Sequence, residues 1–114
     1  MTARNTQIAE QLTHLAAQFF ARESNRESLI TVTRARMSEN MRSATIFFTV
    51  LPADHETGAL SFAKRQRSEF RTYVKEHSAL GNPPSLDFEI DVGEKLRQEV
   101  DDILRQSTND KKRS

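Results

Sequence analysis

Lys64, Arg67, Arg71 and Lys75 follow one another at intervals of three, four and four residues in a stretch of helical pattern. At about 100° per residue they fall within an arc of roughly 80°. Such a row of guanidinium and ammonium groups suits a polyanion, because phosphates repeat along a nucleic-acid backbone and each one neutralised releases condensed counterions. Arg65 lies off the row and is placed to pair with Glu69 four residues on. A second basic group, Arg34, Arg36 and Arg42, flanks Ser38 and Asn40, whose side chains can donate to phosphates or sugars. Both groups have plainer uses too, as a solvated helix face and a solubilised turn.

Other chemistry is poorly supplied. Asp87, Glu89 and Asp91 alternate along a strand pattern and so share a face. Carboxylates arranged that way can hold a metal or move protons, but the wet side of a strand has the same pattern, and facing carboxylates repel RNA. His14, His55 and His77 are scattered, without HxxxH spacing or a nucleophile at a useful offset. Three glycines cannot build a phosphate loop, and with no cysteine there is no disulfide, thiolate zinc site or cysteine nucleophile. Tyr73 and Phe62 could stack on bases, yet at helical spacing they fit better as core. An enzyme is therefore not expected, nor a metal or cofactor. The formal net charge is only +1, so any attraction to RNA comes from where the cations sit and not from their total.

The elements that must position these groups belong to one domain, residues 1–107, since 114 residues bury a single modest core. Ile8, Leu12, Leu15, Ala16 and Phe19 predict a helix over 7–21 with Thr6 as its N-cap, followed by a polar connection from Arg22 to Ser28. Leu29–Met37 and Ala44–Leu51 read as an antiparallel hairpin. In the first of these strands the apolar phase shifts between Ile30/Val32 and Ala35/Met37, which predicts a bulge near Thr33 and Arg34. Pro52 to Gly58 reads as a loop. Leu60, Ala63, Phe70 and Val74 mark a second helix that must end at Ser78–Pro84, where Gly81 and two prolines stand. Leu86, Phe88, Ile90 and Val92 alternate as a strand, and Leu96, Val100, Ile103 and Leu104 mark a last helix before a polar tail, 108–114, expected to be a disordered basic end. The order is α-β-β-α-β-α, an α+β domain with a three-stranded sheet and helices on one face.

The stretch from Val32 to Val50 resembles the hairpin of the ribosome-binding factor A family: a strand ending in Ser38, a polar turn with Asn40 and Met41, and Ala44 opening a strand of alternating apolar residues. Pro84-Ser-Leu-Asp-Phe-Glu-Ile-Asp91 fits that family's P-x-L-x-F-x-x-D, and between the two lies a helix with Arg67 ahead of Phe70. The match runs from about residue 5 to 92, in order. This resemblance implies a KH-like domain of the bacterial type (type II). It also implies a factor that binds the small (30S) ribosomal subunit and its 16S rRNA during maturation, with ribosomal proteins near the site as further partners.

The sequence departs from the family where Ala-x-Gly would kink the helix pair. Here Ala63-Lys64-Arg65-Gln66 leads straight to Arg67 without a glycine, so one straighter helix over about 57–77 is expected, with extra positive charge where the kink would be. The rival reading is a small protein-interaction module whose basic helix is merely solvated. No apolar run approaches a membrane span and the N-terminus lacks a signal-peptide core, so a cytoplasmic monomer is the expectation.

Overall fold

The computed structural model describes residues 3–23 and 28–113. Helix α1 (Ala3–Glu23) is followed by strands β1 (Leu29–Met37) and β2 (Ser43–Leu51), a single 3₁₀ turn (Ala53–His55), helices α2 (Glu56–Arg65) and α3 (Arg67–His77), strand β3 (Ser85–Ile90) and helix α4 (Val92–Arg113). The sheet order is β1-β2-β3, with β1 antiparallel and β3 parallel to the central β2. The expected α+β order thus holds.

The core is an aromatic seam between the helices and one face of the sheet. Leu12, Leu15, Ala16, Phe19 and Phe20 form the buried stripe of α1, at the spacing of one helix face. Phe20 lies 5.1 Å from Phe88 of β3 and 6.1 Å from Phe48 of β2, while Phe19 reaches Phe70 at 5.3 Å and Tyr73 at 5.5 Å on α3. Tilted and edge-on arrangements of this kind add to the area buried. Tyr73 is buried and Phe62 packs against the core, so both serve packing.

Several boundaries differ from the sequence reading. α1 begins at Ala3, which places Thr6 inside the helix and not at its cap; Ala3 and Arg4 are good helix formers and nothing ahead of Thr6 stops them. The connection at 24–27 lies outside the described residues. α2 begins at Glu56, so Gly58 falls in the first helical turn, where N–H groups lack intrahelical partners anyway. α4 is helical through Arg113, so the polar stretch from Thr108 continues the helix.

The largest correction is at Gln66, where the expected continuous helix is broken into two. Gln66 sits at φ −92°, ψ 6°, the bridge region where helices tighten and turn. Its N–H reaches the carbonyls of both Ala63 (3.0 Å) and Phe62 (3.2 Å), and its own carbonyl restarts the ladder by accepting from Phe70 N at 2.8 Å. A glycine is unnecessary because φ stays negative there. α3 then ends at Ser78, whose hydroxyl donates to Val74 O (2.6 Å) and accepts from Leu80 N (3.1 Å).

The β1 bulge stands where the phase shift predicts it: the register slips between Val32 and Arg34. Freed from the ladder, Thr33 donates its hydroxyl to Asp91 Oδ2 at 2.6 Å. β3 ends at Ile90, and Asp91 and Val92 do not continue it. Asp91 N donates to Phe48 O (2.8 Å), its Oδ1 accepts from Glu94 N (3.0 Å) and its Oδ2 from Arg34 Nε (3.2 Å). Asp91 is therefore the N-cap of α4 and is only 4% exposed. It ties the bulge of β1 to the start of the last helix.

Candidate nucleic-acid interface

The break at Gln66 turns the basic row around a corner. Lys64 and Arg65 close α2 and Arg67 opens α3. Lys64 Nζ (3.0 Å) and Arg67 Nη1 (3.2 Å) converge on one oxygen of Asp87, Oδ1, which also accepts from Phe88 N at 2.8 Å. Arg67 Nε in turn donates to Lys64 O at 3.0 Å, bracing the junction. β3 is an edge strand, and the Asp87 carboxylate accepts from the Phe88 N–H on its unpaired side. Partial burial works to raise the Asp87 pKa, but the hydrogen bonds from Lys64 and Phe88 N–H, together with the charges of Lys64 and Arg67, outweigh it and hold the carboxyl below its ordinary value.

One turn further along α3, Arg71 Nη2 donates to Asn82 Oδ1 (3.1 Å) and Pro83 O (3.3 Å), pinning the loop that leads into β3. Between α3 and the β3 edge runs an open groove of about 370 Å³ lined by Arg67, Ser68, Arg71, Ser85 and Leu86. Arg71 has no carboxylate partner among the described residues, and neither do Arg65 and Lys75; the pair expected between Arg65 and Glu69 is not formed. The groove thus keeps cationic surface uncompensated at its rim.

The hairpin group divides. The Arg42 backbone lies beside the start of β3, since its carbonyl accepts from Ser85 N at 2.9 Å. Arg36 lies on the open face of the sheet, opposite Thr45, so the central strand separates it from Asp87 and the β3 edge. Arg34 is committed elsewhere: its guanidinium lies 4.1 Å from the Phe47 ring centroid and its Nε holds Asp91. That cover explains how Phe47, on the face away from the helices, is only 6% exposed. Ser38 and Asn40 build the turn. Ser38 Oγ donates to Asn40 Oδ1 (2.7 Å) and accepts from Ser43 N (3.1 Å), and Asn40 Oδ1 also accepts from Arg42 N (3.0 Å). Their oxygens support Met41 at φ 60°, a left-handed conformation that needs such help.

The acidic face is not the free solvated row that alternation suggests. Asp87 pairs with two cations and Asp91 caps α4, while Glu89 stands exposed. No group of three or more His, Asp or Glu side chains able to hold a metal occurs among the described residues. His14 bonds Gln18 and His77 bonds the Tyr73 carbonyl, both within their own helices. Gln66, Asn82 and Pro83 were missed as site residues in the sequence, and the proline-rich loop was the one signal that pointed near them.

The family model for ribosome-binding factor A matches residues 4–104. The chain belongs to that family. Among curated members, ribosome-binding factor A of Thermobifida fusca is 27% identical over 105 residues, 90% of this chain and 70% of its own length. That of Kosmotoga olearia is 28% identical over 102 residues, 89% and 82%, and that of Salinispora arenicola 30% over 83 residues, 72% and 53%. The chain spans from about half to about four fifths of the length of the relatives it matches. The crystal structure of ribosome-binding factor A from Thermus thermophilus superposes with a TM-score of 0.67 at 18% identity, covering 75% of this chain and 94% of that one. The solution structure of a Thermotoga maritima protein described as a putative ribosome binding factor A gives 0.65 at 17%, covering 76% and 86%. The fold is therefore the KH-like one of ribosome-binding factor A. A homology model of the Thermus factor fitted into a cryo-EM map of its complex with the 30S subunit is similar too, at a TM-score of 0.66, 19% identity and 75% and 92% coverage.

Proposed function

We propose that this chain is a ribosome assembly factor that docks on the small ribosomal subunit and its 16S rRNA during maturation, as a cytoplasmic protein that makes and breaks no bond. Residues 1–107 act as one RNA-binding body. The observation that carries the reading is the corner at Gln66, where Lys64 and Arg65 close α2 and Arg67 opens α3, with Arg67 and Arg71 lining the groove at the β3 edge; Lys75 further along α3, Arg42 at the hairpin turn and Arg36 on the open face of the sheet add to the proposed RNA surface. Cations on a rigid edge with an open groove suit a phosphate backbone, which binds by charge and shape. The fitted complex of the Thermus relative with its 30S subunit gives the partner its class. Ribosomal proteins bordering the rRNA site complete the surroundings. Arg34, Ser38 and Asn40 act indirectly, by holding the sheet and turn in shape.

The test is sedimentation of tagged protein in lysate through sucrose gradients, beside a variant with Lys64, Arg67 and Arg71 changed to Glu. Native protein is expected to comigrate with free small subunits and the variant to stay at the top. If native protein never leaves the top, the ribosomal reading fails.

A further inference from the structure

In the groove at the β3 edge, several polar groups take no part in holding the fold. Arg67 Nε donates to Lys64 O and its Nη1 to Asp87, which leaves Nη2 without an acceptor among the described residues. Arg71 gives Nη2 to Asn82 Oδ1 and Pro83 O and keeps Nη1 free in the same sense. Ser68 on α3 and Ser85 at the start of β3 line the groove from its two sides. Neither hydroxyl bonds to any described residue, although both backbones are committed: Ser68 O accepts from Thr72 Oγ1, and Ser85 N donates to Arg42 O. The serines are thus anchored at the main chain and open at the side chain.

These groups recognise different things. Two guanidiniums one helical turn apart, each braced on one side, offer N–H donors to the oxygens of a phosphate. A serine hydroxyl both donates and accepts and rotates to suit its partner, which matches a ribose 2′-hydroxyl, itself donor and acceptor. Leu86, only 6% exposed, supplies the apolar part of the lining and a surface for the flat face of a base. Phosphate, sugar hydroxyl and base are the three parts of a ribonucleotide. At about 370 Å³ the groove is at the small end of ligand sites, which suits one nucleotide of a single strand and not a duplex. A phosphorylated peptide would use the guanidiniums and leave both hydroxyls idle.

We propose that the groove reads the sugar of unpaired RNA: Ser68 and Ser85 bond a ribose 2′-hydroxyl from its two sides while Arg67 and Arg71 hold the adjoining phosphates. The inference rests on the RNA-binding reading and adds a preference to it, because cations attract DNA and RNA alike and only the serines tell them apart. A deoxynucleotide presents a C–H where the ribonucleotide presents a hydroxyl, so the phosphate contacts stay and the serine bonds go. Losing one such bond lowers affinity about fivefold, and losing both about 25-fold.

Fluorescence anisotropy on the full chain tests this with labelled single strands of uridine and of deoxyuridine, about ten nucleotides long, which differ only in the 2′-hydroxyl. The native chain is expected to bind the ribo strand about 5- to 25-fold more tightly, and a Ser68→Ala, Ser85→Ala variant should bring that ratio to about one. Both positions are exposed, so the variant should melt at the native temperature. Free uridine monophosphate, which lacks the neighbouring phosphates, should displace the ribo strand only at far higher concentration. Equal binding of the two strands by the native chain overturns the inference and leaves the RNA reading standing. A ribo preference that survives loss of both serines overturns it too, as does displacement by the free nucleotide at the concentration of the strand. If neither strand binds at low salt, the RNA reading falls and this inference with it.

Discussion

On the proposed RNA-binding reading, Asp87 occupies the place a phosphate would take, because its Oδ1 already accepts from Lys64, Arg67 and a backbone N–H. An incoming phosphate must displace it or lie beside it. At about 6 Å the two negative charges repel by roughly 0.7 kcal/mol in bulk water, and by roughly four times that at an effective dielectric of about 20. The Asp87 side chain is 40% exposed. With salt screening this puts the penalty near the low end, about 1 kcal/mol or about fivefold in affinity. Asp87→Asn keeps the shape and an acceptor for Phe88 N–H, and the exposed ion pairs it removes are worth less than about 1 kcal/mol of stability each. The variant is therefore expected to fold normally and to bind RNA about fivefold more tightly. Its plot of log affinity against log salt should steepen by roughly one for each cation that gains a phosphate. Fluorescence anisotropy with a labelled 16S rRNA fragment over a potassium chloride series reads both quantities. If native protein shows a steep salt dependence while Asp87→Asn binds no more tightly at any salt, the carboxylate is not in the path of the phosphate and the reasoning fails.

Replacing Asp91 by Ala removes the α4 cap and leaves the Thr33 hydroxyl without its acceptor. The expected cost is about 2–4 kcal/mol, seen as a lower urea midpoint, and Asp91→Asn should lose less because asparagine still caps. Phe20→Ala, at the meeting of Phe48 and Phe88, should cost about 3–5 kcal/mol and leave a chain unfolded or barely folded by circular dichroism. Burial works to raise the Asp91 pKa, but the hydrogen bonds from Thr33, Glu94 N–H and Arg34, with the Arg34 charge, hold it below 3.8, as those of Asp87 do for that residue. Both groups thus contribute stability that is fully present above about pH 4 and lost as pH falls through their folded-state values; urea melts across the acid range should show that fall, shallower in Asp91→Asn.

The strand pairing and the bulge were legible because each rests on periodicity: a period of two for the hairpin and a slipped phase at Thr33. The helix break at Gln66 was not, since Ala63 and Phe70 keep one face across it and no glycine or proline marks the turn. Nor could alternation reveal that Asp91 leaves β3. An acid at the end of a strand and an acid at a helix cap look alike until Gly93 and Glu94 are seen to coil. The convergence of Lys64 and Arg67 on Asp87 depends on β3 returning parallel beside β2, a contact between distant parts of the chain that local spacing does not carry.

That parallel return also sets an order in time. β1 and β2 are joined by a short turn and can pair as soon as Leu51 has been synthesised, but β3 reaches β2 only after α2 and α3 have been made. The cations on those helices exist in the growing chain before their counter-ion on β3 does. Until Asp87 has been made, Lys64 and Arg67 lack the carboxylate that pairs with them in the finished fold, so completing the sheet is what fixes these two cations in place.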